Sequence, residues 1–398
     1  MRRSSIERVP RGVLALVVLS CAASTAGCKP RVDDTSKTAD AAPDARAVVD
    51  GSTNGAGAMA AGRDAAPPPP PDPAVAIARG KLLYGRYCNF CHGENGVGYA
   101  ADQAPKLAND DLLTLASDDY LKDAIVKGRP GTTMSPWSMA RGGPLSFDDA
   151  SSLVAYMRTW QKGPAEATES RTVDSGTASA ERGAPLYAAQ CAKCHGKQGK
   201  EGKYGALANP ELLASASDGF LATTIERGRD GTPMPSFNGK LTKAQIDDVV
   251  ALLRSWKRPP DETPPLPPRP GELASVILNP QGPQPAFEAK TDFIKVDDVK
   301  KQVDRKATMV IIDARPPSDY ARMHVAGAIS VPFYEVEAYA KQLPKDRYII
   351  SYCGCPHAES GKVRDGLRTL GFTRTAVMDE GLYAWRDRGY PVRGGAKP

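Results

Sequence analysis

Two five-residue segments, Cys88-Asn89-Phe90-Cys91-His92 and Cys191-Ala192-Lys193-Cys194-His195, concentrate reactive side chains in this 398-residue chain. Two thiols three positions apart, with an imidazole directly after them, are the pattern that attaches haem c: the thiols add to its vinyl groups and the His reaches the iron. A bare Cys-x-x-Cys also suits zinc or a redox pair. Here each copy adds the His and, about 40 residues on, a Met, and neither copy holds another cysteine to complete a four-cysteine zinc site. Two covalently bound haem c groups are therefore the expected cofactors. A closed electron-transfer site needs a second axial ligand, and a thioether there raises the potential relative to bis-histidine ligation. Met134 and Met234 are the candidates, because both sit in a Gly-Thr-x-Met setting and neither copy has a second His. Met139 and Met157 compete in the first copy and read as packing residues. A third cluster, Cys353-Gly354-Cys355-Pro356-His357, offers a nucleophile (Cys353), a resolving thiol (Cys355) and an imidazole (His357) that lowers a thiol pKa or moves a proton.

The elements that position these groups are repeated. Gly80-x-x-x-Tyr84-x-x-x-Cys88 matches Gly183-x-x-x-Tyr187-x-x-x-Cys191, and Leu107-Ala108-Asn109 matches Leu207-Ala208-Asn209. From Leu107 to Met134 and from Leu207 to Met234 the separation is 27 residues in both copies. Each copy closes with an amphipathic helix. In the second, Thr242 and Gln245 form a capping box ahead of Ile246, Val249, Val250, Leu253 and Trp256; in the first, Ser146 and Asp149 precede Leu153, Tyr156 and Trp160. From about Thr291 the rhythm changes to strands (308–313, 348–352, 375–378) alternating with helices (near 334–342 and 360–370), which predicts an α/β parallel sheet.

On these motifs the blocks at 74–162 and 178–258 resemble class I c-type cytochrome domains. The resemblance implies an all-α fold in which the first helix crosses the last at Gly80 or Gly183. The block at 291–398 resembles the rhodanese family through Asp313-Ala314-Arg315, Tyr320-x-x-x-His324-Val325-x-Gly327-Ala328-Ile329 and Glu380-Gly381-Leu382-Tyr383-Ala384-Trp385. That family delivers a Cys, here Cys353, from a strand into a loop ahead of a helix, where it attacks a sulfane sulfur and becomes a persulfide. Asp313, Arg315 and His324 belong to its supporting motif. The loop departs from the family by lacking its closing Arg, and Glu359 adds a negative charge where an anion should sit. The expected class is thus multidomain, two all-α cytochrome c domains followed by one α/β rhodanese-like domain.

Charge and composition bound the remainder. The net charge of +6 falls to about +3 once residues 1–27 are set aside, and Lys and Arg form no stripe with aromatics between them, which excludes nucleic acid as a partner. Residues 1–28 have the form of an export signal, with four Arg before a short apolar stretch. Thr25-Ala26-Gly27-Cys28 resembles the end of a bacterial lipoprotein signal, which would place a lipid anchor on Cys28; Cys21 is the competing site, and ordinary cleavage the plain alternative. Residues 29–73 read as a disordered tether, and 163–177 and 259–290 as linkers. The expectation is an exported, membrane-anchored, periplasm-facing dihaem electron carrier. Its expected partners are redox proteins of the cell envelope and a sulfane-sulfur substrate. The alternative from another class is a pure electron carrier whose last domain only binds a partner; a dihaem peroxidase is disfavoured by two Met-bearing copies without spare His.

Overall fold

The computed structural model describes residues 72–395 except 100, 102–103, 167–170, 175, 201, 261, 288–291 and 355–356. The expected signal, the tether as far as residue 71, Cys21, Cys28 and Cys355 lie outside the described residues; the last two tether positions instead open the first helix, Asp72 capping it by accepting from Ala74 N and Pro73 taking its first turn. Among the described residues no helix is long and apolar enough to cross a membrane.

The first copy is built from α1 (Pro73–Tyr87), α2 (Asn89–His92), α3 (Asp110–Leu115), α4 (Asp118–Lys127) and α5 (Phe147–Arg158). The second repeats them as α6 (Ala180–Gln190), α7 (Ala192–His195), α8 (Pro210–Ser215), α9 (Asp218–Arg227) and α10 (Lys243–Ser255). Both capping boxes form: Ser146 caps α5 with Asp149, and Thr242 caps α10 with Gln245. Glycine sets the packing of α1 on α5 and of α6 on α10. A Cβ on Gly80 would lie 2.0 Å from Ser152 O, and one on Gly183 2.2 Å from Asp248 O, so the helix backbones meet where no side chain fits. Trp160 and Trp256 follow the closing helices and pack edge-on against Tyr84 and Tyr187, with ring centroids 5.1 and 5.0 Å apart. Arg158 and Arg254 at the ends of the closing helices donate to the terminal carbonyls of α3 and α8, at Leu113 and Ala116 or Leu213 and Ala216. Each Arg thereby satisfies acceptors that a short helix leaves open.

The two copies also face each other reciprocally. Asn109 caps α3 through its Oδ1 while its Nδ2 donates to Asp230 O (2.8 Å); Asn209 caps α8 while its Nδ2 donates to Pro130 O (3.0 Å). Tyr120 and Phe220, equivalent positions, pack across the seam as a tilted ring pair with centroids 4.7 Å apart.

The C-terminal domain contains β1 (Phe293–Ile294), α11 (Val296–Asp304), β2 (Val310–Asp313), α12 (Pro317–Arg322), β3 (His324–Val325), β4 (Ile329–Ser330), α13 (Val336–Ala340), β5 (Ile349–Tyr352), α14 (Ala358–Thr369), β6 (Thr375–Met378), α15 (Gly381–Asp387) and β7 (Val392–Arg393). Its main sheet is parallel with strand order β1-β6-β5-β2-β4, while β3 pairs antiparallel with β7. The central strands β2, β5 and β6 are buried throughout, as expected of strands covered on both faces. Part of the stretch read as a linker joins this core. Leu278 exchanges backbone hydrogen bonds with Met309, and Leu273, Val276 and Ile277 pack against the apolar core on one side of the sheet. The apolar run Val276-Ile277-Leu278 inside a Pro-rich segment is the physical reason.

Replacing Gly80 or Gly183 by Ala should lower stability by about 2 kcal/mol or more, because backbone atoms cannot yield as a flexible side chain can. Gly85→Ala on the open face of α1, with nothing within 4 Å, should be neutral or stabilising. Urea denaturation of the three variants checks this.

Candidate functional site

Cys88 ends α1, donating its N–H to Tyr84 O, and His92 N donates to Cys88 O at 2.9 Å, so both thiols and the imidazole share one turn. Cys191, Cys194 and His195 repeat the arrangement. Tyr84 OH and Tyr187 OH donate to Gly93 O and Gly196 O (2.8 and 2.9 Å), fixing the turn that leaves each His. Burial pushes the Cys88 thiol up to about 12; burial, with Cys194 adding to it, takes the Cys191 thiol to about 11. Burial also pushes both imidazoles below their ordinary range, which keeps them in the neutral form that a metal ligand requires. His92 Nδ1 lies 3.0 Å from Pro105 O, and His195 Nδ1 lies 3.4 Å from Gly205 O. With Nδ1–H donating to a carbonyl, the lone pair sits on Nε2.

Met134 and Met234 occupy equivalent turns. Arg129 N donates to Met134 O and Arg229 N to Met234 O (2.7 and 3.0 Å). Inside each turn the Thr hydroxyl works twice: Thr132 Oγ1 donates to Arg129 O and accepts from Met134 N, and Thr232 does the same between Arg229 and Met234. Gly128 and Gly228 open these turns at φ of 63° and 73°, with backbone 2.5 Å from where a Cβ would stand. Both Met side chains are half-buried against the helical core. Of the competing methionines, Met157 is buried in α5 as expected of packing, whereas Met139 is 65% exposed, against the expectation that it packs. It lies in a short turn between Ser138 and Gly142 that carries it outward. The donor set of each copy, two thiols on one turn, an Nε2 lone pair and a thioether, suits haem c.

In the C-terminal domain β5 delivers Cys353, which is fully buried with Sγ 3.4 Å from Ser360 Oγ. Its carbonyl accepts from Leu382 N (2.9 Å). Beneath it Arg315 forms a two-pronged pair with Asp313, Nε to Oδ1 at 2.9 Å and Nη2 to Oδ2 at 2.7 Å, and Tyr352 OH donates to the same carboxylate. The His324 ring stacks on Tyr320 at 3.8 Å. Those groups hold one another. His357 begins α14 with φ of 77°; its Nε2 lies 2.6 Å from Asp379 Oδ1 and its ring packs 4.2 Å from Phe293. Glu359 differs from the sequence expectation. It is buried, and burial together with neighbouring Cys353 holds its carboxyl well above the usual range, so the neutral acid is favoured instead of a repelling charge. Burial raises Asp319 as well.

Sequence reasoning passed over three aromatic residues that join the C-terminal domain to the first copy. Phe333 packs on Phe90 at 5.4 Å, Tyr334 OH donates to Gly142 O, and Tyr383 OH donates to Thr132 O. An adjacent aromatic pair in a loop, Phe333-Tyr334, was the available signal. Tyr383 was visible only as part of a family motif, with nothing to mark its hydroxyl.

A family model described as cytochrome C oxidase, cbb3-type, subunit III matches residues 75–157 and 178–253, and one described as rhodanese-like domain matches 295–388. Among curated proteins, the cbb3-type cytochrome c oxidase subunit FixP of Bradyrhizobium diazoefficiens is 28% identical over 190 residues, covering 46% of this chain and 61% of that protein. FixP of Azorhizobium caulinodans is 30% identical over 187 residues, covering 46% and 60%. The chain thus spans about three fifths of these relatives' length. A solved rhodanese-like domain from Anabaena sp. is 24% identical and covers 27% of this chain and 89% of its own, with a TM-score of 0.25. Two turns built alike around Cys-x-x-Cys-His, and a buried Cys at the end of a parallel strand, accord with the two family models: the chain carries two c-type cytochrome domains of the cbb3 subunit III kind, which imply haem c and electron transfer, followed by a rhodanese-like domain.

Proposed function

We propose that the protein is an exported, lipid-anchored dihaem cytochrome whose C-terminal domain handles sulfane sulfur. Cys88 and Cys91 would hold one haem and Cys191 and Cys194 the other, with His92 and Met134, and His195 and Met234, as the iron ligands. The observation that carries this is the duplicated Met turn, in which Thr132 and Thr232 hold the following Met backbone in the same way. Bound haem supplies one-electron redox chemistry. The chain's own part is to keep each imidazole neutral and oriented, and to hold a thioether on a braced turn. The oxidase-subunit relatives support redox proteins of the cell envelope as partners. The signal-like Thr25-Ala26-Gly27-Cys28 supports export and a lipid on Cys28 at a periplasm-facing membrane surface.

In the C-terminal domain the Cys353 thiolate attacks a sulfane sulfur. The donor's S–S bond breaks, its electron pair leaves with the departing group, and Cys353 keeps the sulfur as a persulfide for an acceptor thiol. Cys355 is the proposed resolving thiol, and His357, paired with Asp379, a proton carrier. A neutral Glu359 beside Cys353 and the lack of a closing Arg favour sulfane donors with less negative charge, such as persulfides, over doubly charged thiosulfate. The second reading, an electron carrier with a non-catalytic partner-binding domain, is favoured by one observation, the complete burial of Cys353.

Met234→His should lower the potential of the second haem and remove its Fe–S(Met) charge-transfer band; an unchanged band and potential reject Met234 as ligand. Mass spectrometry after polysulfide treatment should find added sulfur on Cys353 and none in Cys353→Ser, whereas no persulfide from any donor selects the second reading. The same method identifies the mature N-terminus as acylated Cys28, acylated Cys21 or a plain cut end.

Glu359 also makes stability depend on pH. With its folded-state pKa raised, the folded protein keeps a proton that the unfolded chain releases, so stability is full at low pH and falls as pH rises toward the raised value. Denaturant titrations from about pH 5 to about pH 8 should show that fall in the wild type and a flatter profile in Glu359→Gln.

A further inference from the structure

The two Met turns differ in what holds them from outside. The turn of the second copy faces the first copy: Asp230 O accepts from Asn109, and Asp230 N donates to Asp111 Oδ2 at 2.6 Å. The turn of the first copy is held by Asn209 through Pro130 O and, in addition, by the C-terminal domain on both sides of Met134. Before it, Tyr383 OH donates to Thr132 O at 2.9 Å; after it, the Ser135 side chain lies beside the Asp319 carboxyl. Thr132 is also the residue whose hydroxyl accepts from Met134 N.

Tyr383 reaches back to the sulfur loop with equal directness. Its neighbour Leu382 donates its N–H to Cys353 O, and a Cβ built on Gly354 would stand 3.3 Å from the Tyr383 ring and 3.6 Å from Thr133 Cγ2. The Arg386 guanidinium, 5.0 Å over the ring, fixes its direction. One short route therefore runs from Cys353 through Leu382 and Tyr383 to Thr132 and Met134. A second seam supports the same docking, with Phe333 on Phe90, the residue between Cys88 and Cys91.

We propose that Tyr383 is a positioning residue for Met134: it ties the turn bearing the first haem's sixth ligand to the Cys353 loop, so that the first haem alone is coupled to the sulfur site. This rests on Met134 being an axial ligand. Loss of the Tyr383 hydroxyl leaves Thr132 O without that donor and lets the turn open more easily. Coupling is reciprocal, so releasing Met134 must in turn loosen the Cys353 loop.

The full-chain holoprotein, oxidised, is titrated with imidazole, which competes with Met for the iron, and the Fe–S(Met) charge-transfer band is followed. The phase missing in Met134→His belongs to the first haem. Tyr383→Phe should tighten imidazole binding in that phase about fivefold, the equivalent of about 1 kcal/mol, and leave the other phase unchanged. Alkylation of Cys353 by iodoacetamide, read by peptide mass spectrometry, should accelerate about fivefold in the wild type when imidazole displaces Met134. In Tyr383→Phe it should be fast with or without imidazole. Equal imidazole affinities in wild type and Tyr383→Phe, or wild-type alkylation indifferent to imidazole, overturn the coupling. If Met134→His keeps both phases, the ligand assignment itself is wrong, which is a separate result.

Discussion

The Met134 turn has almost no regular structure of its own, and its position is set by hydrogen bonds that converge on it. Thr132 closes it internally, Asn209 reaches Pro130 O from the second copy, and Tyr383 reaches Thr132 O from the C-terminal domain. A thioether proposed as an iron ligand is only as firm as the backbone that carries it, since coordination competes with the freedom of the turn. Both outer contacts use groups already committed elsewhere: the Asn209 side chain also caps α8, and Tyr383 lies in the first turn of α15. The three domains thus meet at the turn that carries Met134, the proposed iron ligand.

The rigid parts of each copy serve that segment from a distance. Contact between α1 and α5, and between α6 and α10, is direct backbone approach at Gly80 and Gly183, which leaves the attachment turns at Cys88 and Cys191 little room to shift. Tyr84 and Tyr187 extend this by binding the carbonyls just after His92 and His195. The turn bearing His92 or His195 is therefore fixed within a copy. Each Met turn is closed internally and is held from outside its copy as well.

This division explains what the sequence reveals. Cys-x-x-Cys-His, the internal repeat, both capping boxes and strands 375–378, 348–352 and 308–313 are local patterns, and local patterns are legible. Sequence alone could not show that Glu359 is favoured as a neutral acid, because its charge depends on burial supplied by other segments. Nor could it show that Met139 points outward, or that Val276 to Leu278 join the rhodanese-like core. Asn109 and Asn209 stood out as a repeated pair, yet their second role depends on a neighbour about 120 and 80 residues away. Such seams follow from tertiary complementarity, which no spacing rule encodes.

The reciprocal seam between the copies has the form of a two-fold dimer: each Asn donates to the other's Met turn, and equivalent rings pack against each other. Two separate chains forming such a seam would pay translational entropy and would come apart on dilution. Joined through residues 163–177, the halves meet at an effective concentration of millimolar order, fixed by the connection rather than by how much protein the cell makes. The pairing that braces the Met134 and Met234 turns is therefore independent of expression level, as it could not be for a dimer of single-copy cytochromes.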